Sequence, residues 1–188
     1  MKTVRFVLIT TGLGFAFALT AGAQTGPVDP HAGHTIIAPG GLVDVVRKVT
    51  RSFLDPAAAA DAGYGPLLGC VSSPQDGAMG QHLVNGALVF DNATLDPRQP
   101  EALMYELRGG RLQLLGVEYI VPAAAWDAQN PGPPALLGQA FAFIGSPNRF
   151  GLAAFYELHV WAWRENPHGT FTDFNPRVSC DEFTQTPQ

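Results

Sequence analysis

The stretch ALMYELRGGRLQLLGVEYIV, residues 102–121, decides the fold. Its two halves, Ala102 to Arg108 and Leu112 to Val121, alternate as strands do. Gly109-Gly110 joins them. Glycine takes positive φ without steric cost, so this pair predicts a two-residue turn between antiparallel neighbours. The same alternation adds strands at about His82 to Phe90 and Ala154 to Arg164. A Pro- and Gly-rich stretch, residues 122–151, should hold only a short strand at Ala140 to Ile144. A connection of that length is commonly functional or covers a pocket.

Upstream, the apolar period changes. Leu42, Val45, Val46, Val49 and Phe53 recur at helical spacing, and Asp44 and Lys48 form a favourable i,i+4 pair. A second short helix is punctuated by Asp55 as N-cap, Pro56 in the first turn and Gly63 as terminator. Helices first and strands after predict one α+β domain over residues 42–188. Its expected form is an N-terminal helical hairpin followed by a curved antiparallel β-sheet or partly closed barrel.

The chain begins with Lys2 and Arg5, an apolar run from Phe6 to Leu19, and the small residues Ala21-Gly22-Ala23. Residues 1–23 therefore read as a secretory signal peptide. Residues 24–41 read as a flexible leader, in which His31 and His34 offer a weak metal-binding pair. The mature chain is expected to be secreted or periplasmic, with no membrane span. Cys70 and Cys180 are the only cysteines. In an oxidising compartment they are expected to form a disulfide, since no CxxC spacing points to redox catalysis.

Charged residues make up 14% of the chain, and 16 acids against 11 bases give a formal charge of −5. A polyanion-binding face needs clustered Lys and Arg, and no such cluster follows the signal, so nucleic acid is not an expected partner.

Chemistry is suggested by acids and imidazoles at apolar parity. In FYELHVWAWRENPHGTF, residues 155–171, Glu157 and His159 alternate in line with Phe155, Trp161 and Trp163. Glu118 shares parity with Leu112, Leu114 and Ile120 if no bulge intervenes at Gly116, His82 with Val84, and Glu106 with Met104. A carboxylate on an apolar face is costly unless it is paired, protonated or bound to a cation. One reading gathers His82, Glu118 and His159, with Glu106 or Glu157 as a fourth member, around a divalent metal. Two imidazoles and a carboxylate suit Zn²⁺ or Fe²⁺. The competing reading makes these residues hydrogen-bonded core polars or salt bridges, for instance to Arg108, Arg149 or Arg164. Glu157 and His159 also allow acid/base chemistry without metal.

The runs GYGPLLGCVSSPQDGAMGQHLVN, PEALMYELRGGRLQLLGVEYIVP and FYELHVWAWRENPHGTFTDFNPRVSC resemble a family of uncharacterised exported bacterial proteins. The resemblance covers residues 50–181 and implies export and a single domain, with no activity to transfer. At the level of architecture alone, the chain is similar to NTF2-like cone folds, in which helices precede a curved sheet around a pocket. The expected role is binding of a divalent metal or small molecule in a polar site inside the sheet. The alternatives are a noncatalytic module that binds an apolar ligand or protein through its aromatics and long loop, and a structural envelope protein.

Overall fold

The computed structural model describes residues 40–184. The signal segment and the leader pair His31 and His34 lie outside the described residues. The first helix, α1 (Gly40–Val49), buries Leu42 and Val46. Thr50 Oγ1 donates to the Val46 carbonyl at 2.7 Å at its end. A 3₁₀ turn, Arg51–Leu54, leads to α2 (Pro56–Asp61), where the Asp55 side chain accepts from the Ala57 amide as an N-cap. The expected helical hairpin is not confirmed. Its first helix stops at Val49, and α1 is tied to the end of the sheet through Arg47 Nε to the Ala162 carbonyl (2.7 Å) and Trp163 Nε1 to Thr50 Oγ1 (2.9 Å).

The chain then runs through β1 (Gly65–Ser73), β2 (Gly77–Val84), α3 (Gly86–Val89), β3 (Ala102–Arg108), β4 (Arg111–Pro122) and α4 (Ala123–Asp127). It ends with β5 (Ala135–Leu136), β6 (Gln139–Ala140), β7 (Ala142–Ile144), β8 (Phe155–Val160) and α5 (Asp181–Thr184). Six strands form one antiparallel sheet in the order β1-β2-β3-β4-β8-β7, curled through 206° as a half-barrel, and β5 and β6 form a separate two-stranded ribbon. The fold is α+β.

The central hairpin has the expected turn: Arg108 pairs with Arg111, and Gly109 and Gly110 hold φ of 59° and 70°. Two strand expectations need correction, and one strand was not foreseen. The strand read over His82 to Phe90 begins at Gly77 and stops at Val84, because the Asn85 side chain accepts from the Ala87 amide and starts α3. The strand read to Arg164 ends at Val160, since Trp163 and Arg164 both donate their amides to the Leu115 carbonyl. β1 was not anticipated, as its Gly, Pro and two register breaks erase alternation.

A bulge falls in β4, where Met104 pairs with Gly116 but Tyr105 pairs with Leu114. A Cβ at Gly116 would collide with the Val160 carbonyl oxygen, so glycine lets the backbones approach there. The extra residue switches parity. Leu114 faces with Tyr105, while Glu118 and Ile120 take the opposite face, so Glu118 does not share a face with Leu112 and Leu114 as the bare alternation implied.

The outer face of the curl packs Leu103, Tyr105, Val117, Tyr119, Leu158 and Val160 with Leu42 and Val46 of α1. A smaller core of Ala78, Met104, Leu115, Trp161 and Val178 closes one end of the inner face. The segment after β8 returns there and pairs Asn175 with Ala78 through two backbone hydrogen bonds. Cys70 and Cys180 form a disulfide with Cα atoms 5.7 Å apart, closing 110 positions of chain. In the chain-entropy picture that closure stabilises by at most about 5 kcal/mol. Across the opening of the curl, Arg149 Nη2 from the β7–β8 loop donates to the Ser72 carbonyl of β1 at 2.9 Å.

Candidate metal centre and its cavity

His82 stands on β2 and His159 on β8, three strand spacings apart, or about 14 Å in a flat sheet. Their ring centroids are 5.9 Å apart, edge to face. Only inward curvature brings them so close, and it places Glu118, paired with His159 in the ladder, between them. One donor atom from each of His82, Glu118 and His159 lies within 4.8 Å of the others, and all three residues are buried. Glu157, also buried, is hydrogen-bonded to Glu118. Asp173, on the returning segment, reaches His159 from the other side, with Oδ1 3.4 Å from Nδ1.

The short distances are uneven in kind. His82 Nε2 lies 3.3 Å from Glu118 Oε2, long for a charge-assisted hydrogen bond. Yet ~3.3 Å is the separation of two donors on a tetrahedral ion with bonds of ~2.0–2.1 Å. His159 is only 1% exposed; its Nδ1 lies 3.4 Å from Asp173 Oδ1, and its Nε2 has no hydrogen-bond partner among the described residues. Buried imidazole nitrogens without partners are uncommon and call for an explanation.

Burial dominates the electrostatics. It pulls His82 down to about 3, helped by the neighbouring His159. It pushes Glu118 up to about 8, with Glu157 adding to the rise and His159 opposing it. Glu157 is raised for the same first reason. Burial also disfavours a charged His159, but Glu118, Asp173 and Glu157 outweigh it and push this imidazole up to about 9. Burial and the neighbouring charges thus favour a neutral His82, a protonated His159 and protonated carboxyls in the metal-free cluster. Any cation entering it must displace protons.

The sequence reading grouped five residues. His82, Glu118, Glu157 and His159 meet in one cluster, and Glu106 does not join it. Glu106 Oε2 accepts from Arg164 Nη2 at 2.9 Å and its Oε1 from the Ser179 amide at 3.2 Å, a satisfied ion pair of the kind the competing reading named. Asp173 was missed, because an acid in a loop carries no parity signal. Glu101 was missed as well. It is a fully buried carboxyl beside Tyr64 and Tyr119, pushed up to about 8 by burial, with one oxygen accepting from the Ile120 amide.

A cavity of about 50 Å³ adjoins the cluster, with His82, Glu118 and Glu157 in its lining. Its walls are apolar: Leu67, Val71 and Met79 from β1 and β2, and Phe150, Leu152 and Phe155 from β8 and the loop before it. One water needs ~10–15 Å³ by this measure, so several waters or a small ligand fit. No helix among the described residues is long and apolar enough to cross a membrane. No protein-family model, curated protein or solved structure matches the chain.

Proposed function

We propose that the chain is an exported protein that binds a divalent metal, Zn²⁺ or Fe²⁺, through His82, Glu118 and His159 inside its curved sheet. The observation that carries this is the convergence of two imidazoles and a carboxylate within 4.8 Å, together with a His159 Nε2 that has no hydrogen-bond partner among the described residues. With Nδ1 turned to Asp173, Nε2 of His159 is the nitrogen left for the ion, the carboxylate–histidine–metal arrangement in which a second carboxylate orients the ring. Three protein donors leave a coordination position directed to the cavity, the requirement of an open rather than a structural site. Export is supported by the Cys70–Cys180 disulfide and by the signal pattern of residues 1–23.

The test is metal analysis of protein purified without added metal, followed by Zn²⁺ titration against a chromophoric chelator. Near one equivalent is expected for the native sequence and none for a His82→Ala/His159→Ala double variant. Equal, negligible metal in both would overturn the reading. A second reading, a noncatalytic module for an apolar ligand, is favoured by the cavity walls. It predicts a retained small molecule whose binding survives Glu118→Gln, seen by native mass spectrometry.

A further inference from the structure

Of the residues that line the cavity, only His82, Glu118 and Glu157 are polar, and all three belong to the one cluster. The rest of the lining is leucine, valine, isoleucine, methionine and phenylalanine. An occupant must therefore be an apolar body with a single polar head. About 50 Å³ admits a short body, with any remainder lying over the mouth.

The rim of that mouth is built at a backbone cost. β1 loses register between Leu67 and Cys70, and Leu68 is held at φ 63°, a conformation that a residue with a Cβ rarely adopts. Leu67 and Leu68 are among the residues lining the cavity, as is Leu152 of the β7–β8 loop, and Leu68 is 51% exposed. Exposed apolar side chains gathered around one opening mark a ligand site in a way that scattered ones do not.

Charge decides the head. The two positive charges of a divalent ion would be met by the carboxylates of Glu118 and Glu157, with Asp173 behind His159. An anionic head gains no net attraction from such a site, and a cationic head competes with the ion itself. Arg149, on the same loop as Phe150, is turned to the Ser72 carbonyl and over the Phe150 ring, so it supplies no anion anchor within the cavity. An uncharged hydroxyl has what remains: a lone pair for the metal and a proton for a carboxylate beside it.

Resting on the metal reading above, we infer that the cavity binds a small uncharged hydroxyl compound with an apolar body, its oxygen on the metal and its proton directed to Glu157.

The test uses the mature chain loaded with Co²⁺, whose visible bands report ligands bound directly to the ion, titrated with 1-butanol, butyrate and butylammonium. Butanol should shift the bands saturably, and the two charged analogues should need at least ten-fold higher concentrations. Leu68→Gly removes an apolar rim side chain where glycine suits the backbone. It should keep the Co²⁺ spectrum and the melting temperature while weakening butanol at least three-fold. A Co²⁺ spectrum that butanol leaves unmoved, or that butyrate moves at equal or lower concentration, overturns this inference alone. Failure to take up Co²⁺ overturns the metal reading and this inference with it.

Discussion

On the outer face of the sheet, Tyr64, Tyr105 and Tyr119 are buried, and each hydroxyl donates to a backbone carbonyl at the edge of the core, those of Pro100, Phe53 and Pro97 at 2.7, 2.6 and 2.7 Å. On the inner face, polar side chains point at one another. His82 and Glu118 sit at 3.3 Å, two carboxyls share a hydrogen bond, and Nε2 of His159 has no partner among the described residues. Both faces bury polar atoms in one sheet, but only the outer set is satisfied in the manner that stabilises a fold. Polar groups held together and left short of partners cost stability, and such costs concentrate where a site has a ligand to receive.

The contrast is broken most severely by removing outer-face packing. Tyr105→Ala deletes a fully buried ring and should lower the unfolding free energy by about 3–5 kcal/mol in urea titration. A loss that differs with and without Zn²⁺ by more than error would show the two faces to be coupled and the contrast misplaced.

Titration gives an intermediate effect. Glu118 and His159 both have folded-state pKa values above their ordinary ones, from 4.5 to about 8 and from 6.5 to about 9. Such groups favour the fold while protonated, so their contribution fades as pH rises, over about 4.5–8 for Glu118 and 6.5–9 for His159. Metal-free protein should therefore lose stability between pH 6 and 9, and Glu118→Gln should remove roughly 1–3 kcal/mol of that loss. Zn²⁺ displaces the same protons, so its affinity should climb across the same window. Glu101→Gln, on the other face, should also flatten the alkaline loss, since Glu101 too is pushed up to about 8, but should leave Zn²⁺ uptake unchanged. Equal effects of the two variants on Zn²⁺ would remove the distinction between the faces.

The smallest effect belongs to Tyr119→Phe, which deletes one satisfied hydroxyl and should cost about 1 kcal/mol by thermal or urea denaturation, with Zn²⁺ binding intact.

What the sequence disclosed follows the range of each interaction. Gly109-Gly110 announced the hairpin because a turn is a local property of two residues. The helix start at Asp55-Pro56 was legible for the same reason. The bulge at Gly116 was not, since what requires glycine there is a carbonyl of Val160, on a strand that arrives later in the chain. The inward placement of His82 and His159 was visible as alternation, but their 5.9 Å approach depends on curl, which no single strand encodes. Glu106 had the same parity signal and a different fate, because Arg164 lay within reach. Asp173 entered the site through the return of residues 161–180 over the inner face, a path fixed by the Ala78–Asn175 bridge rather than by any local pattern.

The two ends of the sheet carry one further consequence. An open half-barrel has free edges, and free edges invite pairing with a second chain. Here one edge, β7, is three residues long. The other, β1, is interrupted twice in register, carries Pro66, turns through positive φ at Leu68 and Gly69, and is fastened to the C-terminal segment by Cys70. Neither offers a long, flat row of backbone donors and acceptors. The irregularity that shapes the cavity mouth also blunts the edge against strand addition, guarding an exposed sheet from edge-to-edge aggregation.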